Sequence, residues 1–144
     1  MEISEIQISY SPRNGEKPKI YGSQSAYAIL IEGWDKSSLA LQEEFKVILM
    51  NNAGQVLGIV SLSKGGITGT VVDVRLLFAI ALKATATALI VAHNHPSGSL
   101  RPSEQDIKLT RKIKEGGMLL DIKIHDHLIV TDTGYFSFQD EGLI

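Results

Sequence analysis

Two histidines, an aspartate and a serine close together in ALIVAHNHPSGSLRPSEQD, residues 88–106, are the residues here best placed to do chemistry. If ALIVA is a strand, His93 and His95 stand two apart and project to one face where the strand leaves the core. Two imidazoles aimed at one spot can chelate a metal ion. Pro96 and Gly98 enforce a turn, and Pro102 precedes a helix that opens with Ser103, Glu104, Gln105 and Asp106. Helical side chains tilt toward the helix N-terminus, so Asp106 in the first turn reaches back toward the histidines. Two imidazoles and one carboxylate leave the fourth position of a tetrahedral Zn²⁺ for water, which is the pattern of a catalytic site. Plainer roles fit the same letters. Ser103 and Asp106 have the spacing of a helix cap worth about 1 kcal/mol, and the histidines can be polar members of a surface turn. HNH also spells a nuclease name, but that name describes residues spread over a ββα unit.

The elements that must position these groups follow from local signals. SQSAYAILIEGW has serine caps at Ser23 or Ser25, apolar side chains at Ala26, Ile29 and Leu30, and Gly33 as a stop, which predicts a helix. FKVILMNNAGQVLGIVSLS reads as two strands joined around residues 52–55. Asp73 is an N-cap for a helix through DVRLLFAIALKATA, and the strand TALIVAH follows. SEQDIKLTRKIKEGG predicts a polar helix stopped by Gly116 and Gly117, and IKIHDHLIVTD and YFSF are the closing strands. The expected order is αββαβαββ, an α/β (α+β) fold. In IHDH, strand alternation places His125 and His127 on one face and Asp126 on the other. A structural role for these histidines is the expectation.

The 144 residues suffice for one domain with a real core, and the expected division is an extension over 1–22 and a single domain over 23–144. Fourteen basic against sixteen acidic residues give a net charge of −2, with no broad cationic field to hold nucleic-acid phosphates without sequence help. No cysteine is present, so thiolate metal sites and disulfides are excluded and any metal must use imidazole and carboxylate. No long apolar run or secretory leader is seen, and a cytoplasmic protein without a membrane partner is the expectation.

HNHPSG followed by PSEQDIKLTRKI resembles the JAMM metallopeptidase motif, His-x-His-Pro and then Ser-x-x-Asp, in the form carried by the bacterial RadC proteins. The likeness extends through QEEFKVILMNNAGQVLG, DVRLLFAIALKATATALIVAHNHPSG, DHLIV and YFSFQDEGLI, roughly residues 24–144. It implies an MPN/JAB-type fold, a cytidine-deaminase-like mixed β-sheet flanked by helices, with zinc at the end of a central strand. Carried over, His93, His95 and Asp106 are the zinc ligands, Ser103 helps hold the developing oxyanion, and Glu43 in QEEF is the general base, with Glu44 the runner-up. The activity implied is hydrolysis of peptide or isopeptide amides in a peptide or protein substrate. The alternative is a non-catalytic MPN-fold module that binds within DNA-repair or replication complexes. RadC relatives carry a helix-hairpin-helix segment, and residues 1–22 show no such pattern. Asp126-His127 matches a family pair, and Arg75 matches a family arginine to which no role is assigned. The sequence is compatible with partner binding at exposed strand edges and with a homo-oligomer.

Overall fold

The computed structural model describes residues 1–67 and 69–144. The elements are α1 (Ser23–Gly33), β1 (Glu44–Met50), β2 (Val56–Lys64), α2 (Val74–Lys83), β3 (Ala88–Asn94), α3 (Glu104–Leu119), β4 (Lys123–Val130) and β5 (Tyr135–Ser137), in the expected order. The strands form one mixed sheet, β2-β1-β3-β4-β5, in which only the β3–β4 pairing is parallel. Ala26, Leu30 and Trp34 from the α1 side pack on one face with Ile48, Ile90 and Leu128. Leu77 and Phe78 of α2 and Ile113 of α3 pack on the other with Val47, Leu89 and Val91. Strand β3 lies mid-sheet under both layers, so every one of its residues is buried and its first five are apolar without alternation. This is the helix-flanked mixed sheet that the resemblance implies.

Local chemistry sets most of the boundaries. Asn51 Oδ1 accepts from the N–H groups of Ala53 and Gln55, both at 3.0 Å, and closes the β1–β2 turn, where Gly54 takes φ +76°. Asp73 caps α2 by accepting from Arg75 N and Leu76 N. At α1 the N-cap is Gly22 and not the expected Ser23 or Ser25, although Ser25 reaches back to accept from Gly22 N at 3.1 Å. Residues 1–22 contain no helix or strand; they meet the sheet through a bridge from Lys19 to Gln55 and a hydrogen bond from Val56 N to Pro18 O at 2.8 Å. No helix among the described residues is long and apolar enough to cross a membrane.

Two expectations are corrected. Gly116 and Gly117 do not stop α3, which runs on to Leu119. They are glycines because of what passes beside them: a Cβ at Gly117 would lie 2.4 Å from Ile122 O, and one at Gly116 would lie 2.8 Å from Phe78 Cε2. Gly117→Ala is therefore expected to lower the midpoint of thermal unfolding. Overpacking costs about 1–3 kcal/mol and outweighs the gain of about 1 kcal/mol in helix propensity; an unchanged or raised midpoint would refute this packing account. In β4, the ladder to β3 skips one residue, pairing Leu89 with Ile124 and Ile90 with Asp126. His125 is that extra residue, and the resulting bulge breaks the simple alternation expected of IHDH.

Candidate metal centre

His93 ends the face of β3 that begins with Leu89 and Val91, and His95 lies one residue beyond the strand. His95 Nδ1 is 2.8 Å from Ser99 O, a carbonyl that can only accept, so Nδ1 carries a proton, and Nε2 is bare whenever the ring is neutral. The two Nε2 atoms are 3.1 Å apart. Asp106 completes a triangle, with Oδ1 3.2 Å from His93 Nε2 and Oδ2 3.2 Å from His95 Nε2. A tetrahedral ion with ligands at about 2.0–2.1 Å requires donor atoms about 3.3 Å apart; the two nitrogens come close to that spacing from one another, and each comes close to it from one of the two Asp106 oxygens. A proton or a metal ion among these atoms offsets the repulsion between the ring nitrogens and the carboxylate. The donor set fits zinc in both chemistry and spacing.

The residues of the helix cap are also those that face the histidines. Asp106 Oδ2 accepts from Ser103 N at 2.8 Å while Ser103 Oγ accepts from Asp106 N at 3.0 Å, a reciprocal capping box that fixes the carboxylate toward the histidines. Burial opposes ionisation of Asp106, but hydrogen bonds with His93 and His95 outweigh it and hold the carboxyl well below its usual range. The hydrogen bond with Asp106 raises His95, against desolvation. Ser103 uses an oxygen lone pair for the cap, so its O–H proton remains free to donate into the cleft it lines.

Glu43 arrives by strand register. Phe45 pairs with His93 across β1 and β3, so the same antiparallel register carried two residues further sets Glu43 opposite His95. Its carboxylate lies within 4.8 Å of ring nitrogens of both histidines, outside the tighter triangle that Asp106 makes with them. Glu43, His93 and His95 form one group that could hold a metal ion, and Asp106 lies closer to the two ring nitrogens than Glu43 does. Burial raises the Glu43 pKa, opposed by the two histidines. Glu44 points elsewhere: it accepts from Ser61 Oγ at 2.6 Å and lies near Lys46 and Lys64. A cleft of about 490 Å³ opens over the site, lined by Glu43, His95, Ser103 and Asp106 together with Ile67 and Arg101.

Two further residues hold these groups, and the sequence reading did not single them out. Asn94, fully buried between the histidines, accepts from Glu44 N at 2.7 Å and donates to Leu39 O and Gln42 O at 2.7 and 2.9 Å, pinning the segment that carries Glu43. A polar residue ending an otherwise apolar strand was the available signal. Asn94→Ala leaves three backbone groups without partners, at about 1–3 kcal/mol each where they stay buried. Urea unfolding should show several kcal/mol lost, and a loss under about 1 kcal/mol would contradict the pinning role. Thr110, one helical turn beyond Asp106, donates to Asp106 O at 2.7 Å and touches His127 Nδ1 at 2.6 Å. The i to i+4 spacing from Asp106 could have flagged it.

His127 is buried directly behind the site, its Nε2 2.7 Å from His93 Nδ1, and desolvation pushes its pKa well below the usual value. His125 instead borders a separate pocket of about 450 Å³ with Asp126 and Asp140. Asp126 accepts from Ser137 Oγ and from the backbone of His127 and Gln139, so it ties the bulge to the chain after β5 and makes no bond to the site histidines. Arg75 is exposed beside Asp73.

A family model described as RadC-like JAB domain matches residues 20–143. A protein named UPF0758 protein from Flavobacterium johnsoniae is 56% identical over 101 residues, covering 70% of this chain and 44% of its own. One of that name from Porphyromonas gingivalis is 50% identical over 104 residues, covering 72% and 46%. Another from Clostridium botulinum is 38% identical over 122 residues, covering 85% and 52%. The chain thus spans about half the length of these curated relatives. With the match extending over nearly all of the described fold and over every residue of the candidate centre, the chain belongs to the RadC-like JAB domain family.

Proposed function

We propose that this chain is a zinc-dependent hydrolase of peptide or isopeptide amides, with His93, His95 and Asp106 holding the metal. The observation that carries the reading is the convergence of three side chains, the His93 and His95 Nε2 atoms 3.1 Å apart and each 3.2 Å from an Asp106 oxygen, with a fourth group, the Glu43 carboxylate, facing them. Zinc, when bound there, acidifies a water and polarises the scissile carbonyl. Glu43, buried but still reachable from the cleft, takes the proton from the attacking water and passes it to the leaving amine. The free Ser103 O–H donates to the oxyanion that forms at the carbonyl, a contribution of a few kcal/mol in comparable sites. The substrate is a peptide or protein segment lying in the cleft. The absence of cysteine suits a reducing compartment, and the cytoplasm is the setting proposed.

Elemental analysis of protein purified without chelator or histidine tag tests the metal, and a screen of peptide and isopeptide amides tests the activity. About one zinc per chain, with amide cleavage that stops on chelation and returns with zinc, is the expected result. A chain that takes up no zinc when it is supplied would overturn the proposal. Zinc held tightly with no cleavage of any amide would favour the non-catalytic binding module instead.

A further inference from the structure

A chain of hydrogen bonds leaves His93, passes behind the site and returns to the helix that carries Asp106. His93 Nδ1 lies 2.7 Å from His127 Nε2, His127 Nδ1 lies 2.6 Å from Thr110 Oγ1, and Thr110 Oγ1 lies 2.7 Å from Asp106 O. Directions along it follow from its last member. The Asp106 carbonyl can only accept, so the single hydroxyl proton of Thr110 goes to it, and Thr110 Oγ1 must accept from His127 Nδ1–H. His127 is fully buried and hydrogen-bonds no carboxylate, so its ring is uncharged and carries that one proton. Its bare Nε2 then requires a proton on His93 Nδ1, so a neutral His93 carries none on Nε2.

The surroundings give the rings little freedom. Phe138 stacks on His127 with centroids 4.7 Å apart and planes 11° from parallel, while Phe45 meets its edge at 5.9 Å. Thr110 is itself 3% exposed, so water has no ready access to replace its hydroxyl. The reversed chain would send the Thr110 proton to His127, remove it from the Asp106 carbonyl, and place a proton on His93 Nε2, where a metal must bind.

We propose that Thr110 and His127 are positioning residues which hold His93 in its Nδ1–H tautomer and present its bare Nε2 to the metal site. The proposal rests on the zinc reading for its purpose, though not for its geometry. Because the chain ends on Asp106's own carbonyl, the same bonds also tie the first turn of α3 to the orientation of the His93 ring. Outer partners of metal-binding histidines commonly set tautomer and ring angle in this way.

Long-range ¹H–¹⁵N NMR of the histidine rings in the metal-free, unaltered chain is the decisive test. It should show Nδ1 protonated on both His93 and His127; a His93 ring with no proton on Nδ1 would overturn the proposal. Thr110→Val, matched in shape but lacking the hydroxyl, should shift these tautomers and weaken zinc binding 10–100-fold in competition with a chromophoric chelator. Thr110→Ser should restore both. If Thr110→Val lowers only the unfolding midpoint, leaving tautomers and zinc affinity as in the parent, the role is structural and the proposal falls. If the parent binds no zinc, the proposed hydrolase fails, while the tautomer spectrum still decides the hydrogen-bond chain.

Discussion

Replacing His95 with alanine is expected to abolish stoichiometric zinc binding. The change removes one of three protein donors and takes from Asp106 one of the two rings that hold its carboxylate in place. Loss of an outer partner of a ligand typically costs 10–100-fold in metal affinity, and loss of a ligand itself should exceed that. Added zinc should raise the unfolding midpoint of the parent, since a ligand at a hundred times its Kd stabilises the native state by about 2.7 kcal/mol. The His95→Ala chain should show no such rise. One zinc per chain retained by that variant would remove His95 from the ligand set.

Zinc uptake should also depend on pH in a defined direction. The hydrogen bond with Asp106 raises the His95 pKa, and hydrogen bonds from both histidines lower that of Asp106, so in the metal-free chain a proton occupies the position a cation would take. A raised histidine stabilises the fold below its ordinary pKa and loses that contribution as pH rises through the folded value. A lowered aspartate stabilises it above its ordinary pKa and loses that as pH falls. The metal-free site is therefore most favourable between roughly pH 4 and 6.5. Zinc must displace the His95 proton there, so its apparent affinity should weaken about tenfold per unit as pH falls below the raised His95 pKa. An affinity independent of pH across this range would contradict the assignment.

Glu43→Gln should keep zinc and lose hydrolysis by roughly 10²–10⁴-fold, the usual contribution of a positioned general base. Glutamine preserves size and shape, and the backbone of Glu43 is anchored independently of its side chain: its N–H donates to Gly66 O at 3.0 Å and its carbonyl accepts from Gly65 N at 2.8 Å. The fold and the ligand triangle should therefore survive, separating a failed base from a failed site. Because burial raises the Glu43 pKa, parental activity should decline as pH drops through that raised value, where the base becomes protonated. A Glu43→Gln chain that holds zinc and still cleaves at the parental rate would exclude Glu43 as the base. Glu44, committed to Ser61 and two lysines, would not be its replacement.

The element order and the positions of His93, His95, Ser103 and Asp106 could be read from the sequence because each depends on contacts within a few residues. A strand running into Pro96 and Gly98, and a capping box at Ser103, are local geometries that the chain determines by itself. Glu43 required the family resemblance, since its approach to the histidines depends on the pairing of β1 with β3, and one residue of slippage would have turned Glu44 toward them instead. The bulge at His125, the burial of His127 behind His93 and the capture of residues 39–44 by Asn94 were decided only by tertiary structure. Gly116 and Gly117 show the same division: as local signals they mark a helix end, yet the helix continues because Phe78 and the turn at Ile122 pack too closely for any side chain there. Contacts between residues distant in the chain depend on which elements neighbour one another in the sheet, and no short window of sequence contains that information.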